Sequence, residues 1–140
     1  MDFLYINIGK IPDYFRISLE SIKISNPNSK VYLLTDDLTF KLEGLEILYL
    51  EDVIGLEAQK ILDSNYFSNE KNPLWKTSMV RVFLLKDLAK YLNIDSFIHF
   101  DNDVLIYQNY ENLKNLFDND AGLNITRNDK KSLVFGFSYA

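Results

Sequence analysis

The stretch "SFIHFDNDVLIY", Ser96 to Tyr107, sets two aspartates inside an apolar run. Phe97, Ile98 and Phe100 lead into Asp101 and Asp103, Asn102 stands between the acids, and Val104, Leu105, Ile106 and Tyr107 follow. An ionised carboxylate without a partner is costly to take out of water. A strand carrying two of them therefore needs either a cation or an exit into solvent. Residues two apart on a strand point to the same face, with Cα atoms roughly 7 Å apart. At the carboxyl end of a parallel strand they face the crevice where open α/β sheets bind ligands. Two carboxylates there suit a hard divalent cation, Mg²⁺ or Mn²⁺, whose other positions go to water or phosphate oxygens. The plainer reading, solvated aspartates at a polar strand exit, is weakened by the apolar residues on both sides.

Working outward, strands alternate with helices. "DFLYINIGK" is a first buried strand ending at Gly9. Pro12 suits the opening turn of a helix whose stripe is Phe15, Leu19 and Ile22, and Asn26-Pro27 stops it. "KVYLLTDD" and "LEILYLEDV" are the second and third strands, and "GLEAQKILDSNYF" is a modest helix. A polar loop, "SNEKNP", leads to the longest helical segment, "LWKTSMVRVFLLKDLAKYL". The quoted stretch is the fourth strand. "NYENLKNLF" is a short helix or turn, and "AGLNITR" and "SLVFGFSYA" are further strands. This alternation predicts a mostly parallel sheet covered on both faces, a three-layer α/β/α sandwich.

The chain has 140 residues, 47% hydrophobic and 25% charged, which is the balance of an ordinary globular domain. A net charge of −5 with scattered basic residues argues against a nucleic-acid partner. The absence of cysteine excludes disulfides and thiolate metal sites and fits a reducing compartment. No apolar run approaches the roughly 18 residues of a membrane span, and "FLYINIG" is too short for a signal segment. These features predict a cytoplasmic protein and leave room for peripheral attachment at the inner face of a membrane.

Other Asp-x-Asp chemistries fit less well. A calcium loop beginning at Asp101 needs an oxygen ligand at its fifth position and Gly at its sixth, where Leu105 and Ile106 stand. A phosphotransferase of the haloacid-dehalogenase type has Gly-Thr where this chain has Val104-Leu105, and only residues 104–140 remain for that family's later motifs.

"FIHFDNDVLIY", preceded by "PLWKTSMVRVFLLKDLAKYLNID", resembles the Asp-x-Asp segment of GT-A-fold glycosyltransferases. The opening "FLYINIGKIPDYFRISLESIKISNPNSKVYLLTDD" is similar to their first βαβ unit. The resemblance implies that Asp101 and Asp103 hold Mn²⁺ or Mg²⁺ bridging the two phosphates of a nucleotide-sugar donor, UDP-linked. It implies a glycan or lipid-linked acceptor. Arg81, mid-helix, is placed by it against the donor or the acids; the plainer alternative is an arginine snorkelling to solvent. Asp36, after "VYLLT", falls where such enzymes contact base or ribose, although Asp37 is equally acidic and either residue could cap a turn. Asn7, Asn102 and Lys76 complete the donor-binding candidates. His99, the single histidine, reads as a satisfied core residue rather than a ligand.

A non-catalytic nucleotide- or sugar-binding module is the other reading. The resemblance also implies that residues 1–140 form one nucleotide-sugar-binding domain, the N-terminal part of a longer catalytic domain. Such a piece is expected to bind donor weakly, to be inactive alone, and to self-associate through uncovered apolar surface.

Overall fold

The computed structural model describes residues 1–65, 74–117, 122–127 and 133–139. In order these form β1 (Asp2–Asn7), α1 (Phe15–Ser25), β2 (Val31–Thr35), β3 (Glu46–Tyr49), α2 (Leu50–Val53) and α3 (Leu56–Asp63). Then come α4 (Leu74–Leu92), β4 (Phe97–Phe100), α5 (Tyr110–Leu113) with a 3₁₀ turn at Lys114–Leu116, β5 (Asn124–Arg127) and β6 (Leu133–Tyr139). The polar loop expected over residues 68–73 and the final Ala140 lie outside the described residues.

One six-stranded sheet has the order β3-β2-β1-β4-β6-β5. β1 pairs in parallel with β2 on one side and β4 on the other, and β2 pairs in parallel with β3. β6 runs antiparallel between β4 and β5. Strand order therefore reverses at β1. The carboxyl ends of β1 and β4 flank a topological switch point, where sheets of this kind open a crevice.

Alternation along the strands sends side chains to two separate cores. Phe3, Tyr5, Val31, Leu33, Ile98 and Phe100 bury against Phe15, Leu19 and Ile22 of α1. Leu4, Ile6, Tyr32, Leu34 and Phe97 bury on the opposite face against Val53, Ala58, Val80, Leu84, Leu85 and Leu88. This is the expected three-layer α/β/α sandwich with a mostly parallel sheet.

Local chemistry sets the boundaries that matter for the site. Helix α4 ends in a Schellman turn: Asn93 has φ 53°. Its N–H donates to the Lys90 carbonyl, and the Ile94 N–H donates to that of Ala89. The chain thereby turns directly into β4. Gly55 precedes α3 and donates its N–H to Asp87 Oδ2 on α4 (2.9 Å), and an added Cβ would lie 2.7 Å from that carboxylate.

Three expectations need correcting. The fourth strand stops at Phe100, because residues 101–103 form a turn closed by the Val104 N–H on the Asp101 carbonyl (3.1 Å). The apolar Val104–Ile106 segment lies along α1 instead: Ser18 Oγ donates to the Val104 carbonyl and the Ile106 N–H donates to Ser21 Oγ. The third strand is also shorter than "LEILYLEDV", its last residues coiling into α2. Finally, Pro12 precedes α1, its carbonyl accepting the Phe15 N–H. No helix among the described residues is long and apolar enough to cross a membrane.

Candidate functional site

Asp101 follows the last residue of β4, and α4 lies over the face to which its carboxylate turns. There it pairs with the Arg81 guanidinium, Nη1 to Oδ1. The Arg81 side chain is 19% exposed and that of Asp101 39%, so water partly screens the pair and its net worth is modest. Arg81 reaches this position because Val80, Leu84 and Leu88 anchor α4 in the core while residue 81 falls toward the sheet edge. Asp103 is exposed at the end of the turn. The acids thus stand on a turn at the strand end, rather than on one strand face.

Asn102 points toward β1, where its Nδ2 donates to Asn7 Oδ1 (2.8 Å). Asn7, buried at the end of β1, donates its own Nδ2 to the Gly9 carbonyl (2.7 Å). Gly9, at φ 90°, a conformation that suits glycine, donates its N–H to Asp36 Oδ1 (2.7 Å). Four of the residues singled out from sequence, Asp101, Asn102, Asn7 and Asp36, therefore share the carboxyl edge of three adjacent strands.

The structure separates the two acids after β2. Asp36 faces Gly9, whereas Asp37 caps its own turn, accepting from the Thr39 N–H (2.9 Å) and hydroxyl (2.7 Å). Those bonds, the hydroxyl's first, hold the Asp37 carboxyl below its usual range. Lys76 lies elsewhere: its ammonium donates to the carbonyl of Leu62 in α3. The serines at 18 and 21, which fix the segment after the acidic turn, were not singled out from sequence. Their spacing on the buried side of α1 was the available signal.

His99 is buried in β4, with Nδ1 2.9 Å from the Leu4 carbonyl. Burial drives its pKa down to about 4, the Leu4 carbonyl opposes that shift, and the Arg81 charge adds to it. The folded chain thus keeps His99 neutral while the unfolded chain protonates it near its ordinary pKa of about 6.5. Stability is therefore expected to fall as pH drops from about 6.5 toward 4, by about 2 kcal/mol at pH 5. Urea unfolding of the wild type and His99→Gln at pH 7 and pH 5 checks this. Parallel losses in the two proteins would contradict it.

Among the described residues, no three Asp, Glu or His groups converge on a common metal position. Asp101 and Asp103 instead place two hard carboxylates two positions apart on one short turn, Asp101 using Oδ1 for Arg81. Such a set fits Mg²⁺ or Mn²⁺, which keep several waters and share their coordination with substrate phosphates.

No family model matches the chain, and no curated protein does. Among solved structures it is similar to the galactosyltransferase LgtC in complex with donor and acceptor sugar analogs, with TM-score 0.60 and 12% identity over 99% of this chain. A structure of an active-site mutant of LgtC aligns with 86% of the chain at 13% identity and TM-score 0.49. The chain spans 57% of the length of the first and 42% of the second. The fold, a mixed and mostly parallel sheet between helical layers, is shared with the first of these solved galactosyltransferase structures.

Proposed function

We propose that this chain carries the donor site of a metal-dependent glycosyltransferase. The enzyme moves a sugar from a UDP-linked donor to a hydroxyl of a glycan or lipid-linked acceptor. The observation that supports this most is the placing of the Asp101–Asp103 turn and Arg81 together at the switch point between β1 and β4. In open α/β sheets that crevice is where ligands are bound, nucleotides among them.

Asp101 and Asp103 would hold Mn²⁺ or Mg²⁺, which when bound offsets the negative charge gathering on the departing diphosphate. Arg81 supplies a fixed cation beside the same position, and its planar fork can face Asp101 and a phosphate oxygen together. Asp36 and Gly9, on the β2 side of the crevice, suit the nucleoside end of the donor. As the glycosidic bond to phosphate breaks, electrons pass to the phosphate oxygen. Preorganised positive charge at that point is the larger part of what the site contributes.

Saturation-transfer NMR with UDP, UDP-glucose, UDP-galactose and a phosphomonoester, each with Mg²⁺, tests this reading. Transfer to the uridine and sugar protons supports it. Transfer to the phosphomonoester alone would assign the site to a phosphotransferase. A narrower test concerns Arg81. Arg81→Lys keeps the charge but loses the bidentate fork, so UDP affinity should weaken by about 1 kcal/mol or more, about fivefold. Calorimetry showing equal affinity would return Arg81 to a structural role with Asp101.

A further inference from the structure

The acidic turn is tied down at a second point, through Asn102, whose side chain reaches Asn7 at the end of β1. Strand register explains how. β1 and β4 pair in parallel with Leu4 level with His99, and Asn7 and Asn102 each lie three residues further along. The two amides meet there at 2.8 Å although they are 95 residues apart in sequence. Their orientation is determined. Asn7 Nδ2 is committed to the Gly9 carbonyl, which leaves Asn7 Oδ1 as the acceptor and requires Asn102 to present its Nδ2. Asn102 Oδ1 is then buried with no hydrogen-bond partner among the described residues. A buried unsatisfied acceptor carries a desolvation cost, and so calls for a compensating role.

We propose that Asn7 and Asn102 are positioning residues, a side-chain clasp that fixes the 101–103 turn to the end of β1. Asp101 and Asp103 are thereby presented to a divalent cation in a preformed arrangement. The inference rests on the metal-binding reading of those two acids. Arg81 restrains the turn from the α4 side through Asp101, and the clasp restrains it from β1 through Asn102. Through Gly9 the same chain of hydrogen bonds continues to Asp36, so the cation end and the β2 end of the crevice share one rigid edge. Preorganisation of this kind strengthens binding by removing the ordering cost that a loose turn would incur.

The test uses two readouts on the 140-residue chain with Asn7→Ala, Asn102→Ala and the double variant. The first is hydrogen exchange of the Val104 amide without metal, since that N–H closes the turn on the Asp101 carbonyl. The second is Mn²⁺ affinity by calorimetry. Each single variant should exchange faster at Val104 and bind Mn²⁺ about fivefold more weakly, the worth of one hydrogen bond. The double variant should be no weaker than Asn7→Ala, because Asn7→Ala alone already removes the Asn7–Asn102 contact together with the bond to Gly9. Unchanged Val104 exchange would overturn the clasp. Faster exchange with wild-type Mn²⁺ affinity would overturn its role toward the cation. If Asn7→Ala fails to fold, Asn102→Ala, on the turn itself, decides alone. Failure of the underlying metal reading has its own signature: the wild type, like Asp101→Asn, would not bind Mn²⁺, and the inference would fall with it.

Discussion

Replacing Asp101 and Asp103 together by asparagine is expected to abolish the rise in melting temperature that Mn²⁺ gives the wild-type chain. A ligand that binds only the folded state stabilises it by about 2.7 kcal/mol at a hundredfold excess over its Kd. Asparagine keeps the shape and polarity of each side chain but removes the charge that attracts a hard cation, so nearly all of that increment should vanish. The further increment from UDP in the presence of Mn²⁺ should vanish with it. The loss cannot be attributed to unfolding if the variant without metal melts as a single cooperative transition. A Mn²⁺ response unchanged by the double substitution would remove both acids from the site.

The second large effect concerns the residue immediately before them. Phe100 is 1% exposed and packs edge-on against Tyr5, with ring centroids 4.9 Å apart, and against Phe3 at 6.0 Å. Phe100→Ala should destabilise the chain by about 3–5 kcal/mol, through lost burial and the cavity left behind. That is a large share of the roughly 5–15 kcal/mol available to a folded domain. Tyr107→Ala is a suitable control, since Tyr107 is 79% exposed and truncation there should change stability by about 0.5 kcal/mol or less. Comparable denaturation midpoints for Phe100→Ala and the wild type would mean that β4 is not packed against the α1 face.

Most legible in the sequence were the long or strongly apolar segments. Helix α4 spans the segment read as the longest helix, β1 and β2 follow the apolar runs that predicted buried strands, and the stripe of Phe15, Leu19 and Ile22 on α1 is buried as expected. The order of these elements was enough to indicate a three-layer sheet structure. What failed was the length of β4. Val104–Ile106 is as apolar as a strand, but its burial comes from lying on α1, held by Ser18 and Ser21. Hydrophobicity records that a segment is covered and does not record what covers it. The acids were consequently assigned to a strand face when they stand on a turn.

Within the site, the prominence of Asp101, Asp103 and Arg81 was visible in their residue types, because charges inside apolar segments require partners. Their mutual contact depends on how α4 crosses the end of β4. The choice between Asp36 and Asp37 rested on a turn geometry that two adjacent identical residues cannot reveal. Lys76, selected for its place near the start of α4, is directed toward α3. The Asn7–Asn102 contact depends on strand register, which single-residue properties do not encode across 95 positions.

In the proposed function, the carboxyl edge between β1 and β4 holds a nucleoside diphosphate through a divalent cation at Asp101 and Asp103. Calorimetric titration of UDP into the wild-type chain, once with Mn²⁺ and once after chelation, tests it most directly. UDP is expected to bind at least about tenfold more tightly with the metal, a difference of about 1.4 kcal/mol or more. Equal affinity in the two titrations, or no UDP binding with Mn²⁺ present, would contradict it.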